Sequence, residues 1–103
     1  MTLLDFQNKD AKYFAKLKRY KNGAPYIEIR TGAAMGYCQI LMIVSLDGFP
    51  NPYTSSNTRL EANVKFSQNG TSYFTWEEIE KLNQVVQEAK VILEGIKNGK
   101  TDA

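Results

Sequence analysis

The chain has 103 residues, 43% hydrophobic and 23% charged, with a formal net charge of +2, a composition suited to one ordinary globular domain. It has no histidine and one cysteine, Cys38, which removes histidine-based catalysis, an internal disulfide and nearly every soft-metal site. Its longest apolar run, Ile40 to Val44, falls far short of the roughly 20 residues of a membrane span, and no basic-then-apolar opening suggests secretion, so a reducing, cytoplasmic location is expected.

The charge is unevenly spread. Residues 1–30 carry seven basic and three acidic side chains, whereas residues 76–103 carry four basic and six acidic. Positive charge therefore gathers toward the N-terminal end, and that is where a polyanion would be sought.

Residues 1–10 read either as a short helix capped by Thr2 or as an irregular, extended segment. In the helical form Leu3, Leu4 and Phe6 dock on the core. Ala11 to Tyr20 also has two readings. As a helix it would be capped by Asp10 and ended by Gly23. As a strand it divides into Tyr13, Ala15 and Leu17 on one side and Lys12, Phe14, Lys16, Lys18 and Tyr20 on the other. Two features favour the strand: the Asn22-Gly23 pair of a tight hairpin turn, and the clean alternation of Pro25 to Arg30 that follows.

Thr31 to Gly36 is a small-residue connection. Tyr37 to Leu46 is apolar on both faces and reads as a central strand, with Cys38 inside it as a small buried hydrophobe rather than a reactive thiol. Asp47 to Asn57 is turn chemistry throughout, and a connection of this length in so small a domain is more often functional or mobile than merely connective. Arg59 to Phe66 alternates strictly and predicts one strand, with Leu60, Ala62, Val64 and Phe66 opposite Arg59, Glu61, Asn63 and Lys65. Gln68-Asn69-Gly70 suggests a second turn and Thr71 to Phe74 a short return strand.

At Thr75 the hydrophobic period changes from two to 3.6. Ile79, Leu82, Val85, Val86, Ala89, Ile92, Leu93 and Ile96 predict a helix over 76–98, opened by a Thr75/Glu78 capping box with a Phe74/Ile79 staple and closed at Asn98-Gly99. The fold expected is a single α+β domain over 1–103. It comprises an N-terminal segment (1–10), an antiparallel sheet of four to five strands (11–74) and one long C-terminal helix packed against it.

A helix on one side leaves the other side of the sheet bare. That side would present Lys12, Phe14, Lys16, Lys18 and Tyr20, with Tyr26, Glu28 and Arg30 from the partner strand. Lysine and arginine can neutralise phosphates while aromatic rings stack on unpaired bases. Lysine also guards exposed strands against edge pairing, and Glu28 opposes an anion. Phe49 and Tyr53, two aromatics among prolines and hydroxyls, are the candidates for contact with a protein partner. Asp5, Glu28, Asp47 and Glu61 fall on separate segments and give no paired-carboxylate or metal spacing. No phosphate-binding glycine motif is present, so neither enzyme activity nor a cofactor is expected.

Phe14 to Gly23, Tyr26 to Arg30, and Tyr73 to Glu78 with Leu82, about a fifth of the chain, resemble the Whirly and transcriptional-coactivator p15 class of single-stranded DNA-binding domains. The matching parts are separated here by the apolar Tyr37–Leu46 segment and the Pro-rich loop. The resemblance implies a sheet that binds single strands and a helix that forms a homodimer.

Two functions are thus expected in order. The first is a small non-enzymatic binder of single-stranded nucleic acid, through Lys12, Lys16, Lys18 and Arg30 on phosphate and Phe14, Tyr20 and Tyr26 on bases. The second is a protein-interaction module, such as an inhibitor or adaptor of a phage or mobile element, acting through the 47–58 loop or the sheet edge.

Overall fold

Alternating apolar residues build a sheet, and a 3.6-residue period lays one helix across it. The computed structural model describes residues 4–33, 39–51, 53, 58–67 and 74–99. Among them the elements are β1 (Asp5–Phe6), β2 (Tyr13–Arg19), β3 (Pro25–Thr31), β4 (Ile40–Val44), β5 (Phe49–Pro50), β6 (Arg59–Leu60), β7 (Val64–Phe66) and α1 (Trp76–Lys97). The main sheet runs β1-β2-β3-β4-β7, and β5-β6 forms a separate two-stranded ribbon. The fold is α+β.

Residues 11–20 are strand, not helix. β2 pairs antiparallel with β3, Ala15 facing Ile29 and Leu17 facing Ile27. The turn differs from a two-residue Asn-Gly hairpin. Tyr20 N–H donates to the Ala24 carbonyl and Gly23 N–H to that of Tyr20, while Gly23 has φ +88° and Asn22 does not enter the left-handed region. This is a three-residue loop closing on a glycine bulge, with Asn22 Oδ1 accepting from Ala24 N–H.

The N-terminal segment is extended rather than helical. β1 adds to the sheet edge parallel to β2, so the sheet is mixed, although mostly antiparallel. The loop that follows is pinned to the end of β3: Gly32 N–H donates to Lys12 O and Ala33 N–H to Lys9 O. A Cβ at Gly32 would overlap the Ala11 carbonyl oxygen and press on that of Lys9. Only glycine allows the loop to lie this close.

Arg59 to Phe66 is two strands in two sheets. The break falls at Asn63, whose Nδ2 donates to the carbonyls of Ser45 and Leu46 at 2.9 and 3.0 Å and whose carbonyl accepts from Ser45 N–H. These bonds turn the chain, so β6 pairs with β5 inside the segment expected to be all turn, while β7 joins β4. Cys38, the Asn69-Gly70 turn and Thr71 to Tyr73 of the expected return strand lie outside the described residues; Phe74 is not in a strand.

The helix matches its sequence signals closely. Thr75 Oγ1 accepts from Glu78 N–H and Glu78 Oε1 from Thr75 N–H, completing the capping box. Of the expected staple, Phe74 packs against the core while Ile79 is exposed. Twenty-two residues make a rod of about 33 Å. Its Leu82, Val85, Ala89 and Leu93 meet Tyr13, Ala15, Ile27, Ile29, Met42 and Val44 in one core. Each fully buried aliphatic side chain there contributes about 1.5–3 kcal/mol. No helix among the described residues is long and apolar enough to cross a membrane.

Candidate nucleic-acid interface

The face of the sheet away from α1 is assembled by strand register. Phe14 sits opposite Arg30, Lys16 opposite Glu28, and Lys18 opposite Tyr26. On the next strands Glu28 faces Ile43, and Ile43 faces Lys65. A row of Lys16, Glu28, Ile43 and Lys65 therefore crosses the sheet, with Lys18 and Arg30 flanking it.

Glu28 lies at the centre and is only 5% exposed. Lys18 Nζ stands 3.2 Å from its Oε2 and Arg30 Nη1 2.9 Å from its Oε1. A buried carboxylate of this kind is tolerable because it is doubly paired. It offsets part of the cationic face and fixes the Arg30 guanidinium in place. Lys16 and Lys65 are exposed and carry no ion pair among the described residues.

The aromatic residues fare differently. Phe14 is 3% exposed and lines a hollow with Lys9, Lys16 and Arg30, so it forms part of a floor instead of a free ring for stacking. Tyr20 and Tyr26 stack on one another with centroids 4.4 Å apart, and the Arg59 guanidinium lies 5.0 Å from the Tyr20 ring. Burial pushes the Tyr20 phenol up, opposed by Arg59 and reinforced by Tyr26. Both rings are half-buried; Tyr20 has the Tyr26 ring and the Arg59 guanidinium against it, and Tyr26 has the Tyr20 ring.

Lys12 does not join this face. It precedes β2, its Nζ is 5.8 Å from the Tyr13 ring, and it lines a hollow on the helix side with Lys81 and Val85. The alternation that assigned it to the bare side stops one residue later, where the strand begins. Three further cations lie near this face or its tyrosines. Lys65 was readable in principle, since alternation already turned it away from Val64 and Phe66, but its neighbours depend on register. Lys9 is delivered by the loop pinned at Gly32. Arg59 is held by the β5–β6 ribbon, donating from Nε to Asp47 O and from Nη2 to Gly48 O.

The two candidates for a protein partner separate. Phe49 is 7% exposed and serves its own ribbon, whereas Tyr53 is 90% exposed. Comparison with family models, with curated proteins and with solved structures finds no match to this chain.

Proposed function

We propose that the protein is a small non-enzymatic binder of single-stranded nucleic acid, taking the strand across the helix-free face of its sheet. The observation that carries this reading is the gathering of Lys16, Lys18, Arg30 and Lys65 on one face, with Lys9 at its rim, around the Glu28 carboxylate that Lys18 and Arg30 already pair; Asp5, beside Phe14 on the edge strand, is the acidic neighbour that weakens it. Four or five cations at strand spacing suit a flexible phosphate backbone better than a point ligand. With Phe14 buried and Tyr20 and Tyr26 stacked on one another, phosphate contact dominates, which implies little preference for sequence.

Fluorescence anisotropy with a labelled single-stranded oligonucleotide tests it. Four phosphate contacts correspond to a slope of roughly −3 in log affinity against log salt. Lys16→Glu with Lys65→Glu should weaken binding and flatten that slope while the fold survives, because both side chains are exposed. Binding indifferent to salt and to both changes would remove the assignment.

A protein-interaction module is the second reading, favoured by the exposure of large apolar side chains elsewhere. Tyr53 is 90%, Trp76 86% and Phe66 55% exposed. Absence of oligonucleotide binding at low salt would give this reading the lead. A homodimer would draw on the helix, where Val91 is 67% exposed, and would register in sedimentation.

A further inference from the structure

Three cations from three different elements converge on one small hollow: Lys9 from the loop after β1, Lys16 from β2 and Arg30 from β3, over the ring of Phe14. Among the described residues no carboxylate lines it, and the nearest by register is Asp5, beside Phe14 on β1. Like charges drawn together in this way repel one another, and an anion between them relieves the repulsion. The hollow measures about 160 Å³, about five water molecules' share of liquid volume. That accommodates a tetrahedral oxyanion with part of its hydration and is too small for a base with its sugar.

The parts are also held in position before any ligand arrives. Arg30 is fixed by its bond from Nη1 to Glu28, which leaves further N–H donors of the guanidinium fork to address a second oxyanion. Lys9 rides on a loop that Gly32 alone allows to pack against β3. The buried Phe14 lowers the local dielectric beneath the cations, which strengthens their attraction for an anion.

We propose that this hollow is a phosphate seat, taking one phosphate group at a time. On the nucleic-acid reading above, on which this extension rests, it would anchor one phosphate of the strand while Lys18 and Lys65 follow the remainder. A terminal phosphomonoester and an internal phosphodiester share this chemistry, and the test separates them.

The test is a titration followed by backbone amide NMR at constant ionic strength. Inorganic phosphate should shift the amides of Lys9, Phe14, Lys16 and Arg30 saturably, where chloride does not. Lys9→Gln should weaken that response about tenfold, in keeping with the loss of one charge-assisted bond, and Lys90→Gln on the helix should leave it unchanged. A short oligonucleotide with a 5′-phosphate binding tighter than its 5′-hydroxyl form identifies a terminal monoester. Equal affinity with the same amides shifted identifies an internal diester, and both results sustain the seat. Unsaturable or scattered shifts with phosphate and with both oligonucleotides overturn it. If the seat fails while salt-dependent binding still responds to Lys16→Glu with Lys65→Glu, the nucleic-acid reading stands alone. If the seat saturates with phosphate but no oligonucleotide binds, that reading falls and the seat remains.

Discussion

Glu28 shows how one residue can serve the fold and restrain the site at once. Its carboxylate sits almost wholly buried between Lys18 and Arg30, so it anchors the two cations while cancelling part of their field. Glu28→Gln keeps the shape and removes the charge. Because both partners remain partly in water, the cost is discounted to about 1–2 kcal/mol, read as a lower melting temperature. Oligonucleotide affinity should rise in the same variant. Gly32 acts by having no side chain. Gly32→Ala drives a methyl group into the Ala11 carbonyl, which no rotamer can relieve, and should cost about 1–3 kcal/mol in chemical denaturation. In contrast, Lys12 shows how a basic residue one position outside a strand can end on the opposite side of the molecule.

At the scale of elements, α1 was the most legible part because its start, period and stop are all local. Thr75→Ala removes one half of the capping box and should cost about 1 kcal/mol. The other half carries a pH dependence. Glu78 is held below the ordinary glutamate range, first by the Thr75 backbone N–H, then by the Thr75 hydroxyl, with Lys12 adding to the effect. A carboxyl whose folded pKa is depressed contributes stability above its unfolded value and loses it as pH falls through the folded one. The melting-temperature gap between the parent and Glu78→Gln should therefore be widest near neutral pH and close in acid. The strands were less legible. Arg59 to Phe66 alternates without interruption, yet Asn63 divides it, because its side chain bonds the backbone carbonyls of Ser45 and Leu46, 18 and 17 residues earlier. Alternation reports which side a residue faces and is silent about which sheet it joins.

For the molecule as a whole, among the described residues one helix packs on the main sheet, which gives one core and leaves one face of that sheet without a helix over it. Leu93 is fully buried in that core, and Leu93→Ala should cost about 2–5 kcal/mol. Phe66, on the outermost strand of the main sheet, is 55% exposed and keeps a ring contact with Phe74, and Phe66→Ser should cost less, about 1 kcal/mol. Equilibrium urea denaturation compares the two directly. The same asymmetry governs the candidate site. Its cations come from β2, β3, β7 and one loop, and they share a surface only because the register of four strands brings them onto one side.

By itself the sequence determined the α+β class and the helix with both its ends; it favoured a hairpin over a helix at 11–30 and, on that reading, divided its two strands into an inner and an outer face. Each follows from interactions within a few residues, or from a period that repeats along one segment. Tertiary structure alone decided that β1 runs parallel at the edge, that β6 leaves the main sheet, and that Phe14 is buried. It also decided that Lys12 turns to the helix while Lys9 and Lys65 join the cationic face. These outcomes rest on contacts between segments distant in the chain. Their free energy depends on what has already packed alongside, and no local pattern of residues records that.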